Sequence, residues 1–404
     1  MDVLRIEQIE LIIVVGAIVA IIARRLRVPY TAGLVAAGIL IALLPFNFNV
    51  PFNKELVFDA LLPPLIFEAA LYINWSELRK DLLVIGTYAT VGVVLSAVVT
   101  AAIMRFATGW TWQAAILFGV LIAATDPVAV IATFKETKVK GRLRLLVEAE
   151  SLFNDATAAV AFLLALAFAS GESLGVASSI WNLIATSIGG ILSGLIVGGI
   201  VLLIIGRTRN HLVELSMTTL AAFGSFWLAG YFHTSGILAT TTAGLLVGNM
   251  TGFGWITEKG EDSIEHFWEF AAFVANSFIF IVLGINLASQ DFSRASIPII
   301  VAIVAVLAGR AVAVYPCSAL VSGSSRRVEG KMQHVLFWGG LRGALALALA
   351  VGIPDTMPFR SEILTVTFAV VAFSVFVQGL TITPLLRRLG QISAADPATR
   401  RSGL

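Results

Sequence analysis

Long apolar stretches alternate with short polar connections along the whole chain. A helix needs roughly 20 apolar residues to cross the hydrocarbon core of a bilayer. Because backbone groups cannot stay unpaired in lipid, repeated segments of this kind predict a bundle of helices. The pattern predicts an all-α membrane protein with about 13 transmembrane helices. We place the spans at approximately 6–23, 28–45, 55–73, 81–105, 113–134, 146–170, 180–206, 212–231, 235–250, 262–287, 295–321, 331–352 and 360–386.

Composition agrees with this pattern. The chain of 404 residues is 58% hydrophobic and 13% charged, whereas soluble domains carry about 25% charged residues. The net charge of +2 gives no reason to expect a nucleic-acid partner. Cys317 is the only cysteine, which excludes an intrachain disulfide.

Basic residues predict the orientation of the spans. Of the 27 Lys and Arg residues, 20 fall in alternate connections on one side and five on the other, while Arg310 and Arg342 lie inside spans. Connections rich in Lys and Arg face the cytoplasm. We therefore expect a multi-pass protein of the plasma (inner) membrane with its N-terminus outside. Residues 389–404 would form a short cytoplasmic tail.

Two spans contain residues that interrupt a helix. Asp126-Pro127 lies in the fifth span and 339–343 (Gly-Gly-Leu-Arg-Gly) in the twelfth, and proline removes a backbone donor and clashes with the preceding turn. Interrupted spans at matching places in two halves are typical of inverted-repeat transporters with a midplane site. Spans four to six would then pair with spans eleven to thirteen. The alternative is that Pro and Gly are simply tolerated in membrane helices.

Polar side chains within the apolar spans are the main indication of function. A carboxylate at membrane depth costs at least ~2.5 kcal/mol, so it usually binds or relays something charged. Ser151 and Asp155 are four residues apart and share one face of a helix. Their oxygens, with carbonyls freed by the break near Thr125, could bind one small cation. Alternatively, Asp155 pairs with an arginine and holds two helices together.

The other buried charges have supporting roles or alternatives of their own. Glu150 has two possible partners, Arg310 and Arg342, and we favour Arg310, which lies deep in an apolar run. Asp126 could cap the half-helix that begins at the break. Glu68 is a lone acid that could complete the cation site, or it could face water near the end of its span.

Several of these segments, taken together and in order, resemble the cation/proton antiporter-1 family, in its NhaP-type sodium/proton branch. The resemblance rests on Ala-Thr-Asp-Pro-Val-Ala-Val (124–130), Glu-Ser-Leu-Phe-Asn-Asp (150–155), Gly-Gly-Leu-Arg-Gly-Ala (339–344), Pro-Pro-Leu-Ile-Phe-Glu (63–68) and Glu-His-Phe-Trp-Glu (265–269). It implies an inverted-repeat antiporter fold, with two broken helices that cross at the midplane, and a homodimer. It also implies a transport core at about 81–170 and 295–388 and a dimerisation domain at about 1–73 and 180–287.

The resemblance also assigns roles to residues. It implies that the cation is bound by the side chains of Asp155, Ser151 and Glu68 and by the main chain of Thr125. It makes Asn154 a supporting polar group, and Glu150–Arg310 a pair that braces the site. From their positions at the two breaks, we expect Asp126 and Arg342 to support the site as well.

We therefore expect a secondary antiporter, without a cofactor, that exchanges Na⁺ (or Li⁺) for H⁺. The two ions would compete for Asp155, and Asn154-Asp155 matches the Asn-Asp form of this branch, which predicts electroneutral one-for-one exchange. The nearest alternative is K⁺/H⁺ or broad monovalent-cation exchange, and a passive channel is another. An intramembrane aspartyl protease is more remote, because Asp126 and Asp155 lack the sequence surroundings that such enzymes have.

Overall fold

A computed structural model describes most of the chain. The described residues are 6–26, 28–44, 55–137, 139, 141–171, 175–250, 254–290, 292, 295–323 and 326–392. They form thirteen helical segments, one at each predicted span, and the rest of this part of the chain is turns and connections. Most of the predicted tail, from residue 393 onward, lies outside the described residues.

Eighteen α-helices make up these segments, because some segments are divided by a break or by a π-helical stretch. In chain order they are α1 (Ile6–Leu26), α2 (Tyr30–Leu43), α3 (Leu62–Leu71), α4 (Trp75–Thr87), α5 (Val93–Thr108), α6 (Trp112–Leu121), α7 (Val128–Thr137), α8 (Arg142–Ala169), α9 (Val176–Ile205), α10 (His211–Thr219), α11 (Ser225–Tyr231), α12 (Gly236–Met250), α13 (Glu258–Ser289), α14 (Ser296–Leu320), α15 (Gly330–Trp338), α16 (Ala344–Val351), α17 (Arg360–Phe373) and α18 (Gly379–Arg388). The π-helical stretches are Leu56–Leu61, Tyr88–Gly92, Leu220–Gly224 and Ser374–Gln378.

The helices extend beyond the apolar parts from which they were predicted. The fourth segment begins at Trp75 rather than 81, because Asn74 caps it by accepting a hydrogen bond from the Ser76 N–H (2.9 Å). Similarly, α13 begins at Glu258 rather than 262, because Thr257 Oγ1 accepts from the Gly260 N–H (3.0 Å). The first turns of these two helices are polar, so a prediction based on apolar stretches leaves them out.

Length and composition are consistent with a membrane-spanning bundle. Within the described ranges, seven helices are long and apolar enough to cross a membrane: Trp75–Thr108, Arg142–Ala169, Ala177–Ile205, His211–Tyr231, Glu258–Ser289, Ser296–Leu320 and Arg360–Arg388. Three shorter apolar helices, Tyr30–Leu43, Trp112–Leu121 and Gly236–Met250, accompany them.

Packing between helices falls into two sets of neighbours. In one set, α5 packs against α14 and α6, and α6 packs against α8. In the other set, α2 packs against α13, and α12 lies between α3 and α9. The boundary between these sets matters for the site, because elements from both sets line its cavity.

Candidate functional site

The two predicted helix breaks are present, and they meet. One break separates α6 from α7 (122–127) and the other separates α15 from α16 (339–343). The Asp126 N–H donates a hydrogen bond to the Leu341 carbonyl (2.8 Å), which joins the two breaks directly. Each break leaves one C-terminal and one N-terminal helix end inside the protein, and those ends need partners for their backbone groups.

The Asp126 carboxylate provides partners for both N-terminal ends. Its Oδ1 accepts from the Val128 N–H at the start of α7 (2.9 Å), and its Oδ2 accepts from the Ala344 N–H at the start of α16 (3.1 Å). A negative charge is stabilising at a helix N-terminus. The sequence predicted the cap on α7, and the structure adds the cap on α16.

Two arginines provide partners for the C-terminal ends. Arg342 Nη1 donates to the carbonyls of Ala123 (2.8 Å) and Ala124 (2.9 Å), just beyond the end of α6. Arg310 donates from Nε (3.2 Å) and Nη2 (2.7 Å) to the Leu336 carbonyl, in the last turn of α15. Cations are favoured at these ends. Arg342 therefore contacts the first break, and it is Arg310 rather than Arg342 that pairs with Glu150.

Glu150 forms a buried ion pair with Arg310. Arg310 Nη1 lies 2.5 Å from Glu150 Oε1, and Nη2 lies 2.9 Å from Oε2, which makes the pair bidentate. Both residues are buried. The favoured pairing is confirmed, and α8 is thereby tied to α14 and, through Leu336, to α15.

The glycines of the second break leave room for these charges. A Cβ atom at Gly343 would collide with the Asp126 carboxylate, and one at Gly340 would collide with the Arg310 guanidinium. The Gly-Gly-Leu-Arg-Gly segment is therefore a place where charged side chains approach the backbone closely, as well as a helix break.

A hydrogen-bond network joins the first break to α8. The Thr125 N–H donates to Asn154 Oδ1 (3.2 Å), and Asn154 Nδ2 donates to Thr125 Oγ1 (2.7 Å). The hydroxyls of Thr125 and Ser151 lie 3.0 Å apart and share a hydrogen bond. All three residues are buried. Asn154 thus holds the Thr125 backbone beside α8.

A cavity of about 340 Å³ lies against this network. Asp155, Ser151, Thr125, Asp126 and Glu68 all line it, so the structure brings together every residue predicted to bind the cation. The walls come from α3, the first break, α7, α8, α13 and α16. Both sets of packed helices therefore contribute to the cavity.

Other polar residues of the cavity were not singled out from the sequence. Arg144 and Glu148 form an ion pair (2.7 Å) at its wall on α8, and Glu269 and Asn276 line it from α13. Glu269 lies within a segment quoted for the family resemblance, so that segment could have indicated it. Asn276 belongs to no quoted motif. The only sequence signal for it is its spacing of seven residues from Glu269, which puts both residues on one face of α13.

No cluster of three or more His, Cys, Asp or Glu side chains suited to a tightly held metal occurs in the part of the chain that the structure describes. The cavity instead offers a few carboxylate, hydroxyl and amide oxygens. Oxygen ligands of this kind are those that hard cations accept.

Crossed broken helices with charged caps, around a cavity lined by carboxylates, define an ion-coupled secondary transporter rather than an enzyme. The chain belongs to the sodium/hydrogen exchanger family, whose transmembrane profile, described as "Sodium/hydrogen exchanger, transmembrane", matches residues 11–388. Its apolar helices and its bacterial relatives make it a multi-pass protein of the plasma membrane.

Three relatives illustrate this membership. The chain is 34% identical to the Na⁺/H⁺ antiporter ApNhaP of Aphanothece halophytica, over 86% of this chain and 67% of that protein. It is 36% identical to the low-affinity Na⁺/H⁺ antiporter NhaS1 of Synechocystis, over 84% and 65%. It is 32% identical to the Na⁺/H⁺ antiporter NhaP of Pseudomonas aeruginosa, over 86% and 84%. The chain thus spans about two thirds of the length of the first two.

The fold also resembles a solved structure. The sodium proton antiporter MjNhaP1 of Methanocaldococcus jannaschii superimposes with a TM-score of 0.77, at 22% identity, over 95% of this chain and 98% of that one. At this identity the likeness concerns the fold alone, and it agrees with the predicted helical antiporter fold.

Proposed function

We propose that this protein is an antiporter that exchanges Na⁺ for H⁺ across the plasma membrane. The observation that carries the proposal is the cavity in which Asp155 lies beside Ser151, Thr125 and Glu68. The names of the relatives, which are Na⁺/H⁺ antiporters, support the choice of ions.

Asp155 is the residue that both ions would share. In the cation-bound state, Na⁺ takes oxygens from the side chains of Asp155, Ser151 and Glu68 and from the main-chain carbonyl of Thr125. In the proton-bound state, the Asp155 carboxyl carries H⁺ instead. Two positive charges at one carboxylate repel each other strongly in a low-dielectric site. Competition for Asp155 therefore couples the two fluxes without a separate gate.

The surrounding charges have a structural part in this proposal. Asp126, Arg342 and Arg310 each satisfy a helix end, and Glu150 neutralises Arg310. These charged groups already have partners where the two breaks meet, so their protonation does not need to change during transport. With Asn154 neutral beside it, Asp155 is the only group of the Asn-Asp pair that carries charge, which favours electroneutral one-for-one exchange.

The helix packing supports alternating access between two domains. The proposed core, at about 81–170 and 295–388, contains α5, α6, α8 and α14. The proposed dimerisation domain, at about 1–73 and 180–287, contains α2, α3, α9, α12 and α13. The cavity lies between them, and a relative movement of the two would change the side from which Asp155 is reached.

The contacts of α13 are compatible with this scheme. Glu269, in the first half of the helix, lines the cavity. Directly after the helix, Gln290 Oε1 accepts a hydrogen bond from Thr365 Oγ1 of α17 (2.6 Å), so the connection between the two proposed domains contacts the proposed core. The 21 residues between Glu269 and Gln290 span about 30 Å.

The proposed orientation follows from the basic connections, with the N-terminus outside and the C-terminus in the cytoplasm. The end of the cavity that is lined by Arg144 and Glu148, near the start of α8, would then face the cytoplasm. We also propose a homodimer, on the family resemblance. Reporter fusions at the C-terminus and cross-linking of the purified protein in membranes test these two points separately.

Transport itself is tested with the purified protein in proteoliposomes. An imposed pH gradient quenches a pH-sensitive dye, and Na⁺, Li⁺, K⁺ and Ca²⁺ are added in turn. We expect Na⁺ and Li⁺ to restore the fluorescence. Restoration by K⁺ at equal or lower concentration would instead identify K⁺/H⁺ or broad exchange. No response to any monovalent cation would refute antiport.

A further inference from the structure

Asn276 is a polar residue of the transport cavity that has no role in the proposal above. It lies on α13, lines the cavity and is only 7% exposed. Among the described residues, no donor lies within hydrogen-bonding distance of its Oδ1 atom. Burying an amide oxygen without a partner costs free energy. An amide in this position therefore needs a reason other than the stability of the empty protein.

Asn276 and Asp155 line the same cavity from two different helices, α13 and α8. Both α8 and α13 have a carboxylate on the cavity wall, Glu148 and Glu269, and in both helices the polar residue follows seven residues later. Seven residues correspond to about 10 Å along a helix. The two helices belong to the sixth and tenth segments of an alternating bundle, so they run in the same direction.

We propose that the amide oxygen of Asn276 is a neutral ligand that α13 contributes to the cation bound at Asp155. This inference rests on the proposed function and names one more residue of the same site. Amide oxygens are ligands that hard cations accept.

A ligand from α13 also distinguishes the two transported ions. A dehydrated Na⁺ needs several oxygens to replace its water, whereas a proton on Asp155 forms a covalent bond to one oxygen and needs no further ligand. Asn276 should therefore contribute to Na⁺ affinity and contribute little to proton binding. Because Asn276 lies in the proposed dimerisation domain and Asp155 in the core, the contact would also depend on the position of the two domains.

Two substitutions, Asn276→Ala and Asn276→Leu, test the proposal. We expect each to raise the apparent KM for Na⁺ about tenfold, with the maximal rate and the pH of half-maximal rate little changed. Asn286→Ala is the matched control on the same helix. Its Nδ2 donates to the Val282 carbonyl (2.8 Å) and it does not line the cavity. The control should leave the KM for Na⁺ unchanged.

Thermal unfolding in detergent separates a ligand from a structural residue. Because Oδ1 of Asn276 has no partner to lose, Asn276→Leu should melt no lower than the wild type in Na⁺-free buffer. The rise in melting temperature on adding Na⁺ should be smaller for this variant. A KM within twofold of the wild type, or a Na⁺-free melting temperature of Asn276→Leu below that of the wild type, would overturn the proposal.

The same measurement separates this inference from the proposed function. If the wild type is stabilised by Na⁺ but shows no Na⁺-driven proton flux, Na⁺/H⁺ antiport is refuted. In that case the loss of Na⁺ stabilisation in Asn276→Leu still supports the ligand, and its retention overturns it. If the wild type responds to Na⁺ in neither assay, the ligand proposal fails together with the proposed function.

Discussion

Removing Glu150 should be among the most damaging single changes in this protein. Glu150→Ala leaves the Arg310 guanidinium buried, with the Leu336 carbonyl as its remaining partner in the contacts described above. Breaking one side of a buried ion pair costs about 3–5 kcal/mol, because the other charge is left without compensation. We expect a loss of free energy of unfolding in this range, which is a large share of the stability of most proteins.

Arg310→Ala should cost more than Glu150→Ala. It leaves the Glu150 carboxylate unpaired, and it also removes both donors to the Leu336 carbonyl at the end of α15. A buried acceptor without a partner adds about 1–3 kcal/mol. The double variant loses that cap but keeps no unpaired charge. Its loss should therefore be smaller than the sum of the two single losses by at least about 2 kcal/mol.

Denaturant unfolding of the purified protein in mixed micelles measures these differences, with expression level as a second readout. Glu77→Ala and Lys80→Ala provide the control cycle, because this pair is solvent-exposed (2.7 Å) and exposed pairs contribute little. The control variants should unfold almost as the wild type does. Additive losses for Glu150 and Arg310 would refute the reasoning, since additivity means that the two charges do not compensate each other.

Three further predictions follow from the site. Asp155→Asn should abolish cation-dependent proton flux while the protein stays folded, and substantial residual flux would refute the shared-ligand mechanism. Exchange should proceed without net current, so clamping the membrane potential at zero should leave the Na⁺/H⁺ rate unchanged, and a steady Na⁺-dependent current on a solid-supported membrane would contradict this. Gly343→Ala should disrupt the crossing, because its Cβ meets the Asp126 carboxylate, whereas Gly199→Ala in the open surroundings of α9 should be tolerated; equal melting temperatures would contradict the difference.

The sequence by itself determined the number and approximate position of the helical segments. Apolar stretches of sufficient length and the alternation of basic connections are properties of local composition, so they need no knowledge of contacts. The two breaks were also predictable, because proline and glycine act on the backbone where they stand. The favoured partner of Glu150 was correct because Arg310, deep in an apolar run, needed an anion.

Only the tertiary structure decided which helix end each charged side chain at the crossing caps. Asp126 caps a helix that begins more than 200 residues later in the chain, at Ala344, and Arg342 caps the end of α6. Asn276 reaches the cavity because packing turns one face of α13 toward α8. Such contacts join distant segments, and they depend on the rotation and depth of each helix. Spacing along one helix establishes which residues share a face, whereas packing against the other helices establishes what that face meets.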